Sequence, residues 1–216
     1  MERFKTLKDH VYEYIEEQIK SGSLLPEQKI DETTICNALN ISRTPVREAL
    51  IQLAAEEIIE NRARKGFAVK QLTTRDVEEL YVIIGALDGM AAKLACPKLN
   101  EKDFRDMEFY IGAMELAINS GNFEMYNKQQ EIFHSIYINK CGNETLVLNI
   151  EKTRNKILTK NYIDDKEGKT RKILRSTNDE HKTLLDILKK GDGKEAFWFL
   201  SEVHYNERNA AYELGD

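Results

Sequence analysis

Two groups of residues in this sequence have types and spacings that could do chemistry. The first is Arg43, Thr44 and Arg47, within Ile41-Ser42-Arg43-Thr44-Pro45-Val46-Arg47-Glu48-Ala49-Leu50. An arginine fork matches a phosphate or a guanine edge with two parallel hydrogen bonds, and the free N–H groups of a helix start attract the same anion. Ser42 and Thr44 are helix-capping types, and Pro45 suits a first turn, where its missing donor is no loss. Val46, Ala49, Leu50 and Leu53 recur at i, i+3, i+4 and i+7, one buried stripe with the arginines off it. By itself the decapeptide reads as readily as a surface helix with two solvated arginines.

The second group is histidine. His134 shares an apolar face with Phe133, Tyr137 and Ile138, His181 with Leu174, Leu185 and Leu188, and His204 with Phe197, Leu200 and Ala211. Neutral imidazoles from three helices would suit a divalent transition metal such as Zn or Ni if they met in one bundle cavity. From spacing alone the simpler reading is three separate, hydrogen-bonded core histidines. Three histidines with an open position also resemble a catalytic zinc site. Because no glutamate is placed by motif beside them and no nucleophile motif appears, an enzyme is not expected.

The elements that must position these groups are mostly helical. Charged residues make up 32% and hydrophobic ones 41%, with 3 Pro, the balance of a helix-rich globular chain with room for two domains. Leu7, Val11, Tyr14, Ile15 and Ile19 predict a helix over 6–21, and a short one capped by Asp31 runs to Leu39 and stops at Asn40. The arginine-bearing helix spans about 43–55. Two helices and a tight turn, the second with polar groups at its start, make a helix-turn-helix. Ile58-Ile59-Glu60 and Phe67-Ala68-Val69 predict strands around the basic turn Asn61-Arg62-Ala63-Arg64-Lys65-Gly66, a wing with a cationic tip. The net charge is −5, and residues 1–72 hold 11 basic and 12 acidic side chains, so any DNA affinity must come from local clustering of Arg43, Arg47, Arg62, Arg64, Lys65 and Lys70.

Beyond a short polar joint at 71–74, helices are predicted over about 74–96, 100–121, 122–141, 143–162, 171–190 and 194–214, with a polar loop at 164–169. Three scattered cysteines, no signal-peptide pattern and no stretch near the ~20 apolar residues of a membrane span point to a reduced cytoplasmic setting. The expected fold is mostly α: a winged helix-turn-helix of three helices and a β-hairpin over 1–72, then an all-α bundle over 73–216.

Ser42-Arg43-Thr44-Pro45-Val46-Arg47-Glu48-Ala49-Leu50, followed by Lys65-Gly66-Phe67-Ala68-Val69, resembles the DNA-binding domain of the GntR family of bacterial transcription regulators. The resemblance implies that Arg43, Thr44 and Arg47 read DNA and that the wing around Arg62, Arg64, Lys65 and Gly66 touches it. Glu57 stands where that family usually has Gly. Phe133-His134, Gly142-Asn143, Glu180-His181, Gly191-Asp192 with Ala196, and His204 resemble the FCD effector domain of the FadR subfamily. That resemblance implies a metal held by His134, His181 and His204 with an Asp, beside which a carboxylate effector binds. Here the Asp position is Gln130, a neutral and weaker ligand, so metal affinity is expected to be reduced or lost. Ile84 replaces a usual Arg, Asp88 keeps the charge of a usual Glu, and Asn178, Arg154, Asp88 or Lys156 are left as candidate effector contacts.

The expected function is a ligand-responsive regulator, a repressor by the commoner family mode, that binds a palindromic operator as a homodimer. The alternative is a ligand-independent DNA-binding protein whose C-terminal domain only dimerises.

Overall fold

A capping box starts the first helix, α1 (Leu7–Lys20): the Thr6 side chain accepts from the Asp9 amide while the Asp9 carboxylate accepts from the Thr6 amide. Asp31 accepts from the Thr33 amide to start α2 (Glu32–Leu39), and Asn40 ends it in the left-handed region at φ 53°. α3 (Arg43–Ala55) follows after two residues. Val11, Ile15, Ile19, Ile35, Val46, Leu50 and Leu53 are buried together as one core. The computed structural model describes residues 5–157, 168–207 and 209.

β1 (Ile59–Arg62) and β2 (Gly66–Val69) pair antiparallel, with Ile59 opposite Val69 and Arg62 opposite Gly66. The tip between them needs left-handed backbone at Arg64 (φ 64°) and Gly66 (φ 87°). The turn after α1 adds an edge to this hairpin: the Ile30 amide donates to Phe67 at 2.9 Å and the Val69 amide to Gln28 at 3.1 Å. This edge carries no periodic signal in the sequence, because the pairing is non-local.

By contacts the chain divides into two units, residues 1–73 with 154–161 and residues 74–153 with 162–216. The first therefore includes a segment remote in sequence. Asn155 Nδ2 donates to Glu16 Oε1 at 2.8 Å, Lys156 Nζ pairs with Glu57 Oε2 at 2.7 Å, and Ile157 is buried. Glu57 adopts φ 62°, the backbone state that glycine takes without strain. Lys156 holds the Glu57 carboxyl below its ordinary range through a hydrogen bond and its charge.

The second unit is helical: α4 (Thr74–Ala95), a 3-10 turn (Cys96–Lys98), α5 (Glu101–Ser120), α6 (Phe123–Ile138), α7 (Glu144–Arg154), α8 (Lys169–Lys189) and α9 (Gly193–Phe199). Three predicted ranges change. α7 stops at Arg154 rather than near Tyr162, with 158–167, and hence most of the predicted loop at 164–169, outside the described residues. α8 begins two residues earlier than predicted, after Gly168. The predicted helix over 194–214 is α-helical only to Phe199 and continues as a π turn, Leu200–His204, in which the Tyr205 amide reaches the Leu200 carbonyl at 3.0 Å; residues 208 and 210–216 lie outside the described ones. The segment Thr74–Lys98 is also long and apolar enough to cross a membrane by length and composition, contrary to the sequence expectation, and half of its most apolar window is packed inside the unit.

α4 and the α9–π segment meet along a glycine seam. A Cβ on Gly89 would lie 2.8 Å from the Phe197 carbonyl oxygen, and one on Gly85 would lie 3.1 Å from Ser201 Cα. Backbone cannot yield there as a flexible side chain can. Gly112, exposed on α5, has nothing within 4 Å of its Cβ position. Two helical glycines should therefore respond with opposite sign. Gly89→Ala should destabilise by about 1–3 kcal/mol through overpacking, and Gly112→Ala should stabilise by up to about 1 kcal/mol through helix propensity. Thermal melts of the two variants read both; equal shifts would mean the seam is not tight.

Candidate nucleic-acid interface and histidine cluster

The start of α3 is built to leave donors open. Ser42 occupies the N-cap with no side-chain cap hydrogen bond, so its hydroxyl does not consume a first-turn amide. Val46, Ala49, Leu50 and Leu53 pin the helix to the core, which turns Arg43, Thr44 and Arg47 to solvent. Arg47 Nε lies 3.3 Å from Glu32 Oε2 on α2, with the arginine side chain 69% exposed. Arg43, Arg64 and Lys65 are exposed and have no ion-pair partner among the described residues. Arg62 behaves differently from the sequence expectation of a tip cation. Its guanidinium pairs with Glu60 at 2.6 Å and Glu27 at 3.2 Å, which ties the wing to the turn after α1. Gly66 forms the tip's return.

The three histidines converge. His134 of α6, His181 of α8 and His204 of the π turn are buried, and one ligand atom from each lies within 4.8 Å of the others. His134 Nε2 and His181 Nε2 are 3.2 Å apart. The reading as three separate core histidines is thereby replaced by one cluster. Glycines 85 and 89 matter to it, because the seam brings α4, with Asp88, against the segment that carries His204.

Each outer histidine is oriented from behind. Tyr137 donates to Asp88 Oδ1 at 2.8 Å, and His134 Nδ1 lies 2.5 Å from the Tyr137 oxygen and 3.2 Å from Asp88 Oδ2. His204 Nδ1 lies 2.8 Å from Glu180 Oε2. Acceptors on both Nδ1 atoms place the proton there and leave the Nε2 lone pairs for the cluster. Asp88 thus sits behind His134 and positions it. Tyr137 and Glu180 were missed as positioning residues; Tyr137 was signalled by its place three residues after His134, and Glu180 by standing directly before His181 in the pair that resembles the FCD domain.

The donor set fits a divalent transition metal. Zn–N bonds of roughly 2.1 Å put tetrahedral ligand nitrogens roughly 3.4 Å apart, and the His134–His181 pair is already near that spacing. Gln130, one turn before His134, keeps a buried Oε1 with no hydrogen-bond partner, and the Oδ1 atoms of Asn127 and Asn178 are likewise buried and unpartnered. Such orphan acceptors on the two helices that carry His134 and His181 call for a donor or a cation. Asn178 is fully buried, its amide donating to the Ile111 carbonyl at 3.2 Å. Ile84 is buried and brings no charge. Arg154 and Lys156 group with the first unit, where Lys156 is engaged by Glu57. A cavity of about 350 Å³ on the neighbouring face of α8, lined by Lys169, Lys172, Ser176, Thr177 and Asn209, touches the cluster's surroundings through Glu180.

Comparison with known proteins covers both units. Residues 7–69 match the family model for bacterial regulatory proteins of the gntR family, and residues 79–201, more than half of the chain, match that for the FCD domain. An HTH-type transcriptional regulator of Bacillus subtilis, YdhC, is 28% identical over 90% of this chain and 86% of its own. A probable D-xylose utilization operon transcriptional repressor of Paenarthrobacter nicotinovorans is 30% identical over 66% of this chain and 62% of its own. The solved structure of E. coli McbR/YncC aligns with 98% of this chain and 99% of that one, with a TM-score of 0.82 at 22% identity, a likeness of fold.

The orienting contacts generate a metal-binding prediction. Glu180→Gln should weaken zinc or nickel binding by about 10–100-fold, the usual loss when a ligand's outer partner is removed. Gln130→Asp should strengthen it by adding a charged ligand. Isothermal titration of the metal-stripped proteins measures both, and unchanged affinity in both variants would dissociate these residues from any metal.

Proposed function

The chain belongs to the gntR family of bacterial regulatory proteins and carries an FCD domain, and from that membership we propose a cytoplasmic, one-component regulator that binds a palindromic operator as a homodimer and answers to a small molecule. It is a DNA-binding transcription regulator and not an enzyme. The observation that carries the reading is the uncapped, arginine-bearing start of α3. Arg43 and Arg47 contact bases and phosphates, Thr44 and the open amides contact phosphate, and Arg64, Lys65 and Gly66 of the wing contact the adjacent backbone. Arg62 holds the wing in shape.

The effector reading rests on the histidine cluster and its neighbouring cavity. His134, His181 and His204 hold a divalent metal, with Gln130 as a neutral fourth donor; the metal supplies a Lewis-acidic anchor for an anionic ligand. Lys169 and Lys172 are among the residues that line the cavity and would suit a carboxylate, and Glu180 lies both on that cavity and on His204. Binding there changes operator affinity by the difference in its affinity for two states of the protein. Repression is the proposed mode, in line with the repressor named among the relatives.

Selection from a random-sequence duplex library, followed by fluorescence anisotropy, supplies the test. Arg47→Ala should weaken binding to the selected site by at least about 1 kcal/mol, since a bidentate base contact carries roughly 1–3 kcal/mol of discrimination. Lys65→Ala should weaken all duplexes alike and flatten the salt dependence. No enrichment by the wild-type protein, or an Arg47→Ala protein with unchanged site affinity, would overturn the assignment.

A further inference from the structure

A short stretch of chain joins the first unit from far along the sequence. Residues 154–157, which continue directly from α7, group with residues 1–73. Arg154-Asn155-Lys156-Ile157 offers two cations, an amide and an apolar side chain, and what it meets is complementary. Asn155 Nδ2 donates to Glu16 Oε1 of α1 at 2.8 Å, and Asn155 also bonds the Tyr12 hydroxyl. Lys156 Nζ pairs at 2.7 Å with Oε2 of Glu57, two residues past the end of α3; Lys70 adds a weaker attraction. Ile157 is buried. Tyr12 and Gln52 both donate to Glu56, the C-cap of α3. The end of α3, the middle of α1 and the stretch 155–157 thus share one polar hub. Within it Glu57 holds φ 62°, a backbone state that costs every residue but glycine. Strain of this kind persists where the surroundings hold the residue in place, and what holds the Glu57 side chain is Lys156.

We propose that Asn155 and Lys156 are positioning residues for the DNA-reading helix: together they brace the C-terminal end of α3, through Glu57, against α1, through Glu16. The brace fixes the angle at which the opposite end of α3 is presented. Val46, Ala49, Leu50 and Leu53 tie one side of the helix to the core, and the brace acts on the tilt that this leaves free. The helix is roughly 20 Å long at ~1.5 Å per residue, with Arg43, Thr44 and Arg47 at the end away from the brace. A tilt about the braced end is therefore largest at the arginines, where hydrogen bonds to base edges weaken steeply with misalignment. The brace is drawn from contacts within the first unit alone; only its use in operator reading rests on the regulator proposed above.

Glu57→Lys and Lys156→Glu in the full chain, singly and together, test this. Each single variant sets like charges against one another, so the brace opens. Exchange of the Glu56 and Ile58 amides, which donate to the Gln52 and Leu53 carbonyls, should then rise roughly two- to fivefold by NMR, the range that an exposed ion pair supports. Affinity for the selected duplex should fall by a similar factor in both single variants, and the double variant should recover most of both losses. A plain field effect on DNA behaves differently, since Lys156→Glu would weaken binding and Glu57→Lys would strengthen it. Glu57→Gly gives a second contrast. It relieves the strained backbone, so the melting temperature should hold or rise while site affinity falls. Opposite shifts in the two single variants, a double variant no better than the singles, or a Glu57→Gly protein that loses affinity and melting temperature together overturns the brace. A wild type that selects no duplex overturns the regulator reading instead, and the exchange rates alone then decide the brace.

Discussion

The second unit depends on one close approach, that of the Phe197 carbonyl to Gly89. No side chain fits between α4 and α9 at that point. The contact sets the depth at which α9 lies on α4, and the π turn that follows carries His204 inward to its partners. Asp88, next to Gly89, is carried to Tyr137 and His134 by the same approach. Four elements far apart in sequence then supply one cluster: Asp88 from α4, His134 and Tyr137 from α6, Glu180 and His181 from α8, and His204 from the π turn. Close backbone packing at two glycines, flanked by the Phe197 and Tyr205 side chains, thus helps fix polar groups at hydrogen-bonding distance. A sub-ångström change there would disturb groups that now sit at hydrogen-bonding distance from one another.

Much of the architecture was legible because its determinants are local. Thr6, Asp31, Asn40 and Asn100 cap helices where capping chemistry says they should, and the strand alternation around Lys65-Gly66 gave the wing. What was missed is non-local. The edge that Gln28 and Ile30 add to the wing has no periodic signal, and neither does the grouping of Asn155, Lys156 and Ile157 with the first unit. Arg62 reads in sequence as one more cation at the tip, yet Glu27, 35 residues away, makes it a tether. The π turn replaced an expected α-helix for the same reason: a single inserted residue leaves apolar periodicity almost unchanged while it redirects everything after it. The histidines were found by type and face, but their convergence was beyond spacing, since three inward residues can meet or miss depending on helix rotation alone.

A chain of net charge −5 with a near-neutral N-terminal unit does not suit DNA by bulk attraction. The unit resolves this by where its carboxylates are held. Glu56 accepts from Tyr12, whose hydroxyl is pushed well above its ordinary range first by burial and then by that contact. Glu16 is held by Asn155, Glu57 by Lys156, and Glu27 and Glu60 by Arg62. Each of these acids is engaged by a named partner, while Arg43, Arg64 and Lys65 stay exposed. Local arrangement, and not net charge, shapes the field that an approaching phosphate meets.

Of Arg43, Thr44 and Arg47, the helix residues proposed to read DNA, Arg47 is the one with an acidic partner among the described residues, Glu32 at 3.3 Å. Exposed pairs of this kind are worth roughly 0.2–1 kcal/mol, whereas a bidentate contact to a guanine edge discriminates by roughly 1–3 kcal/mol. The carboxylate therefore loses to a matched base. Against a lone, screened phosphate the balance is much closer, since an arginine held near a carboxylate gives up part of what a nonspecific contact returns. Giving up the Glu32 pair is a cost common to both contacts. It weakens nonspecific attraction by nearly as much as it weakens the specific contact, but the specific contact has more to spare. For a protein that must leave most of the duplex it meets, a weak internal rival at the arginine proposed to read DNA loosens the grip on every duplex and leaves discrimination to the base contact itself.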